Sequence, residues 1–329
     1  MNTFNRSLYH DLVPVSNLVE TLEERSRSFW DQEAHSTDMM VDQMSGCLIV
    51  NGKAHQFQDQ ALRMLSNRLG IPGNYATKCP EDLLAYNMNY WLQSLNKQLL
   101  IRHDGQDIRA ILSTAYNPVS NLDVIDVVAK YYADDPEVKV RYELNNNKMV
   151  AQFIGPTITS PVDPSDPCAF GMSISNSEVG YASVKSVGLL YRLVCKNGLM
   201  AGDSVEQWRR THRYDADLSV GEMRESLNNL AAHLPNLLDD FMKSKEIELA
   251  DPIATFELIR NSFNLAKIQL EQVQSAFLEE PEFSKFGVVN AITRAGNSKE
   301  LTLEHRNELQ IVGGHVLEMT EKAFTRVSA

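Results

Sequence analysis

Three groups of residues in this 329-residue chain have the types and spacing that chemistry needs. The first is Glu137-Val138-Lys139 with Asp123 and Asp126 upstream. Carboxylates preceding an E-x-K on a strand can hold a magnesium ion while the lysine orients a water, which is the arrangement of a metal-dependent nuclease. The second is Cys195 beside Lys196, where a neighbouring cation could lower a thiol pKa and make a nucleophile. The third runs Trp208-Arg209-Arg210-Thr211-His212-Arg213-Tyr214. Its arginines can neutralise phosphates and its bounding aromatics can stack on unpaired bases, so it needs neither metal nor nucleotide cofactor.

Each group has a plainer reading. E-x-K is a common tripeptide, and Asp134-Asp135-Pro136 before it reads as the loop leading into a hairpin. Cys195 alternates with Arg192 and Lys196, so it falls on the apolar side of a strand with Tyr191 and Leu193 and reads as a buried structural thiol. The basic cluster is small enough to be a solvated surface whose cations pair with acidic helices. No metal-ligand spacing of His and Cys, phosphate-cradling loop, dinucleotide fingerprint or nucleophile elbow occurs. No cofactor is expected, and a non-enzymatic role leads.

Charge sharpens the third reading. The net charge is −12, but residues 95–213 carry 13 Lys+Arg against 13 Asp+Glu, whereas 1–94 carry 7 against 11 and 214–329 carry 11 against 19. Within 181–213, Lys185, Arg192, Lys196, Arg209, Arg210 and Arg213 face only Asp203 and Glu206. A local patch of this kind, not the overall pI, is what meets phosphate. Lys185, Arg192, Lys196, Trp208, Arg209, Arg210, Arg213 and Tyr214 are therefore the candidate nucleic-acid-binding residues, with Lys185, Arg192 and Lys196 expected on one face.

The elements that must position these residues can be read from periodicity and turns. With 43% hydrophobic and 8% aromatic residues the chain can fold around a core. It has no apolar run long enough to span a membrane and no basic-then-apolar leader, so a soluble protein of the cytoplasm of a bacterial host is expected. The four cysteines are scattered, which predicts reduced structural thiols. Residues 1–44 are polar and weakly periodic and read as an N-terminal arm.

Residues 45–215 read as an α+β core domain with an antiparallel sheet. A strand pair turns at Asn51-Gly52, and helices run from Asp59 to about Leu69 and from Glu81 to Leu99, the second with Leu84, Met88, Trp91 and Leu92 on its apolar face. A hairpin closing on Asp104-Gly105 pairs Arg102 with Asp107 and Ile101 with Ile108. A helix reaches Tyr132, and a second hairpin turns at Asn145-Asn146-Asn147. Residues 156–167 read as a Pro-rich loop, and two further strands reverse at Asn176-Ser177-Glu178-Val179-Gly180, with another reversal at Asn197-Gly198. Residues 216–329 are helical, opening with a heptad-like seam from Val220 to Phe241 that Pro235 divides, followed by helices within 252–278, 282–294 and 303–326.

Five blocks carry a family resemblance: RLGIP at Arg68–Pro72, NMNYWL at Asn87–Leu92, LLIRHDGQDIRAILSTAY at Leu99–Tyr116, ISNSEVG at Ile174–Gly180 and YRLVCKNGLM at Tyr191–Met200. In this order and spacing they resemble the phage- and plasmid-borne family catalogued as domain of unknown function 932, over roughly residues 45–215. The chain departs from that family at Thr114-Ala115, where relatives carry an acidic-basic pair, so no role of those charges transfers. The resemblance implies a mobile-element protein with a mixed α and β core and implies no reaction. The leading expectation is non-enzymatic handling of single-stranded nucleic acid, by binding or annealing, in a protein that self-associates through its C-terminal helices. The alternative is an oligomeric scaffold or host-defence-interacting protein whose acidic helices meet a host protein. A magnesium-dependent nuclease is the lesser alternative.

Overall fold

The computed structural model describes residues 8–158, 168–192, 197–200, 208–212 and 236–322, with isolated positions 222, 225, 228, 229 and 324. The chain is α+β, as its patterning requires, and every strand pair within its three sheets is antiparallel.

The large sheet takes its strands from both sides of an insertion. It begins with β1 (Leu8–Pro14), and α1 (Val15–Ser26) follows directly. After the insertion come α5 (Asn121–Tyr131), β8 (Lys139–Leu144), β9 (Met149–Ile158), β10 (Cys168–Asn176), β11 (Val184–Arg192), β12 (Asn197–Met200) and β13 (Trp208–Arg210). The strand order is β1-β8-β9-β10-β11-β12, with β13 also pairing β11. Successive residues of a strand face opposite ways, and both faces are covered. Tyr142, Met149, Phe153, Met172 and Ile174 pack beneath Leu18 and Leu22 of α1 and Ile125 and Val128 of α5. The C-terminal helices are α6 (Pro252–Phe263), α7 (Lys267–Glu279), α8 (Lys285–Ala295) and α9 (Leu303–Glu318), and Leu189, Tyr191 and Leu199 pack against the last two through Phe286, Val289, Ile292, Val312 and Val316.

The insertion forms its own core. It contains a three-stranded sheet of β2 (Phe29–His35), β6 (Gln98–Asp104) and β7 (Asp107–Ser113), and a second of β3 (Met39–Val41), β4 (Leu48–Val50) and β5 (Lys53–His55). Between them lie α2 (Asp59–Arg68), the short α3 (Gly73–Ala76) and α4 (Glu81–Leu95). Met39, Leu48, Leu65, Met88, Leu92, Leu99 and Ile111 are buried together there. At nearly full burial each such side chain contributes roughly 1.5–3 kcal/mol.

Several expectations hold. The turns at Asn51-Gly52 and at 145–147 close their hairpins, pairing Val50 with Lys53 and Leu144 with Met149. Residues 177–183 join β10 to β11 in an antiparallel pair. Others are corrected. Residues 8–41 are not a polar arm: β1 pairs β8, Leu18 and Leu22 are buried, and β2 pairs β6. The 45–215 unit is accordingly divided between two cores. Helix α4 stops at Leu95 because Asn96 adopts the left-handed conformation, φ 48°, that favours Asn and Gly. Trp91 lies off its buried stripe and is 47% exposed.

The C-terminal run expected within 252–278 is two helices broken at Asn264, φ 53°. Strand β9 continues through Pro156 to Ile158, and β11 ends at Arg192, before the reversal expected at Asn197-Gly198. Most of the 220–241 seam lies outside the described residues. At its end Leu237, Leu238 and Phe241 are buried in the core beside the large sheet.

Candidate functional site

A densely bonded polar group lies where the two bodies meet, and the ISNSEVG block builds it. Strand β10 ends at Asn176, and Ser177-Glu178-Val179-Gly180 then turns toward the β2-β6-β7 sheet. Val179 is buried against Leu100, Ala110 and Leu112. Gly180 has φ 83°, and a Cβ there would stand 2.9 Å from Leu112, so only glycine fits the turn.

Glu178 is thereby carried into the interior. Its Oε2 accepts from Nη2 of Arg109 at 2.6 Å, and its Oε1 accepts from the backbone N–H of Asn121 at 2.8 Å, at the start of α5. Nη1 of Arg102 donates to the Glu178 carbonyl, and its Nε donates to Asp31 at 2.9 Å. Tyr116 donates to the Ser177 carbonyl at 3.0 Å, and burial pushes its phenol upward in pKa. The side-chain N–H of Asn176 donates to Val119 O and to Asn121 Oδ1, both at 3.0 Å.

Arg109 reaches Glu178 because of a β-bulge. The ladder pairs Asp104 with Asp107 and His103 with Ile108, then Arg102 with Ala110, so Arg109 is the extra residue. A bulge re-aims the side chain it carries. This corrects the expected register: the turn residues are Gly105 and Gln106, Ile101 faces Ile111, and Arg102 pairs with Asp31 across β2 instead of with Asp107.

A second polar group ties the C-terminal helices to the large sheet. Arg306 of α9 pairs with the buried Glu143 of β8. Arg141 donates to Asp11 at 2.9 Å, to Asn297 at 2.9 Å and to the Tyr191 hydroxyl at 2.7 Å. Gln152 donates to Gln310 beside them. Arg141, Glu143, Gln152, Asn297, Arg306 and Gln310 line a cleft of about 400 Å³, measured out to its open mouth.

The candidate nucleic-acid residues are distributed unevenly. Lys185 and Arg209 are brought together, because β13 pairs β11 with Lys185 opposite Arg209. Directly opposed residues of an antiparallel pair share a face. Arg209 is exposed and bonded through Nε to Ser183 Oγ at 2.9 Å, while Lys185 is half-buried. Lys148, on the β8–β9 turn, lies near Lys185. Burial lowers its pKa first, Lys185 lowers it further, and Glu304 opposes. Trp208 stands opposite Ser186 and Arg210 opposite Val184.

Arg192 is not part of this patch. It lies at the far end of the strand from Lys185, where the C-terminal helices hold it. Its guanidinium donates to Asn290 at 3.0 Å, lies 3.5 Å from Glu280 and sits over the Phe286 ring. Lys196, Arg213 and Tyr214 lie outside the described residues, as does Cys195.

The E-x-K carboxylates do not gather. Asp126 pairs with Lys130 along the exposed side of α5, and Asp135 accepts from the Glu137 backbone in the loop before β8. Among the described residues no three His, Cys, Asp or Glu side chains converge as a metal site would need. Among them, too, no helix is long and apolar enough to cross a membrane.

Sequence reasoning missed the Arg109–Glu178 pair. The signal available was a glutamate held between a strand end and a glycine in ISNSEVG, which reads as a turn until tertiary contacts bury it.

Fold and site define an α+β protein in which an antiparallel sheet, covered on both faces, is joined to an inserted smaller body through a buried arginine–glutamate centre. The chain belongs to the family described as Domain of unknown function (DUF932), whose model matches residues 110–298. That span starts inside β7 and runs through α8, so it takes in the bulge arginine's neighbours, the ISNSEVG turn and most of the helices that cover the sheet. It lies further toward the C-terminus than the 45–215 stretch on which the resemblance was read. No curated protein and no solved structure matches the chain.

Proposed function

We propose that this chain is a non-enzymatic nucleic-acid-binding protein of a mobile element, engaging single-stranded nucleic acid at the sheet edge that carries Lys185 and Arg209. The observation that supports this reading is the direct cross-strand opposition of those two cations. Like charges placed opposite one another destabilise a ladder, and neither has a carboxylate partner among the described residues. A phosphate between them relieves that repulsion. Arg210 and Trp208 adjoin on the same short strand, with Lys196, Arg213 and Tyr214 nearby in sequence.

Fluorescence anisotropy on a labelled oligothymidine tests the reading. The wild type binds at low salt and loses affinity steeply as salt rises. Lys185→Ala with Arg209→Ala removes two contacts and flattens the log–log salt slope by about 1.4, at roughly 0.7 per phosphate contact on a single strand. Absence of binding at about 50 mM salt, or an unchanged slope in the double variant, rejects it.

A second reading, an oligomeric or host-protein scaffold, is favoured by one observation. Ile253, Leu278 and Phe283, all in the acidic C-terminal region, are 70%, 78% and 62% exposed. Apolar side chains left in water favour contact with another protein surface.

A further inference from the structure

Between the end of α1, the β8–β9 turn and the start of α5 lies a pocket of about 310 Å³, measured out to its mouth, whose walls include Arg25, Phe29, Arg109, Asn121, Asn145 and Glu178. Arg109 is 6% exposed, and its guanidinium lies flat over the Phe29 ring at 3.6 Å. Its Nη2 is taken by Glu178, whose other oxygen is taken by the Asn121 backbone. Nη1 of Arg109 is buried and has no partner among the described residues.

Arg25, in the last turn of α1, is half-buried and makes a single long bond of 3.4 Å to Asn146. Burial lowers its basicity and the like charge of Arg109 lowers it further, while Asp104 and Glu178 oppose. Asp104 is itself engaged by Ser28 Oγ at 2.5 Å. Two guanidinium groups with unfilled donors thus border one small space, both oxygens of Glu178 already accept hydrogen bonds, and Oδ1 of Asp104 accepts from Ser28. A buried donor left unmet is costly, and a tetrahedral oxyanion meets guanidinium donors with short charge-assisted bonds.

We propose that this pocket binds a phosphoryl group, held by Nη1 of Arg109 and the guanidinium of Arg25 and flanked by the Phe29 ring. The site is separate from the Lys185–Arg209 edge and does not depend on it. The phosphoryl group belongs either to a small phosphate compound or to the end of a nucleic-acid strand.

Thermal unfolding of the full chain in inorganic phosphate, against chloride of equal ionic strength, tests the assignment. Ligand present at about tenfold its Kd raises Tm by about 2 °C. Arg25→Gln removes a guanidinium that no ion pair depends on, so it abolishes that rise while leaving Tm in chloride within about 2 °C of wild type. Titration of ¹⁵N-labelled wild type gives a readout that needs no variant: the Arg25 and Arg109 side-chain N–H signals move with phosphate. No stabilisation beyond chloride, retention of the effect in Arg25→Gln, or unmoved arginine signals overturns the proposal. A 5′-phosphorylated oligonucleotide that displaces phosphate better than its 5′-hydroxyl counterpart assigns the site to a strand end, and equal displacement assigns it to a small phosphate compound. Lys185→Ala with Arg209→Ala leaves the phosphate effect unchanged, which separates this site from the sheet-edge reading.

Discussion

Arg109 and Glu178 stand 69 residues apart in sequence and 2.6 Å apart in space, with side chains 8% and 7% exposed. One comes from the bulge of a hairpin in the inserted body and the other from a turn of the large sheet, so their pair joins the two cores. Burying charges is costly unless each keeps several partners. Glu178 does so by adding the Asn121 N–H, and Arg109 by lying on Phe29.

Breaking this pair from one side exposes that cost. Glu178→Gln or Arg109→Met is expected to lose about 3–5 kcal/mol of unfolding free energy, since each leaves one buried charge uncompensated. Replacing both with apolar residues is expected to cost less than the sum of the single losses. Urea denaturation of the singles and the double measures the coupling.

Gly180 is expected to resist any side chain. Gly180→Ala places a Cβ in the left-handed region at φ 83° and within 2.9 Å of Leu112, for a loss of about 1–3 kcal/mol. Because the turn also positions Glu178, the ¹⁵N signals of the Arg109 side chain are expected to shift in the same variant.

Lys285 is 3% exposed, and its ammonium donates to the Leu317 carbonyl at 2.7 Å and to the Met319 carbonyl, at the end of α9. It meets carbonyls that a helix end leaves unsatisfied and complements the negative end of the helix dipole. Lys285→Met keeps the apolar stem and removes both bonds. The expected loss is about 2–3 kcal/mol by chemical denaturation, and protection of α9 amides from hydrogen exchange falls with it.

His103 makes stability depend on pH. Its ring is fully buried, stacked 3.8 Å from Trp30, with Gln32 Nε2 2.8 Å from its Nε2. Burial, with His55 nearby adding to it and Asp31 opposing, pushes its pKa down to about 4. In the unfolded chain the imidazole titrates near its ordinary value of about 6.5. Between those values the unfolded state binds a proton that the folded state does not, so stability falls as pH drops from about 6.5 to about 4 and this contribution levels off below. Tm measured across that window for wild type and His103→Gln checks it: the variant's curve is flatter, and equal slopes would exclude the assignment.

Local patterns in the sequence determined a great deal. Alternation on β8 through β11, turn residues at Asn51-Gly52 and 145–147, and the step of three and four in α2, α5 and α8 are set by neighbours a few residues away, so they are legible without tertiary contacts. The α+β class and the family follow from them. What lay beyond the sequence involves partners far apart along the chain. A polar N-terminus reads as an arm until β1 is seen to pair with β8, because an edge strand needs an apolar face only where something packs on it. The hairpin register turned on a turn placed one residue later than Asp104-Gly105 and on one bulged residue, which together shift the pairing beyond them.

The candidate site divides along the same line. The cationic patch was visible as composition, but only the β11–β13 pairing brings Lys185 to Arg209, and only the contacts with Asn290 and Glu280 remove Arg192 from it. Glu178 in ISNSEVG was visible as a turn residue. Its burial against Arg109 was decided by the packing of two cores, since a carboxylate becomes a site only where the fold withdraws it from water and supplies the donors to hold it there.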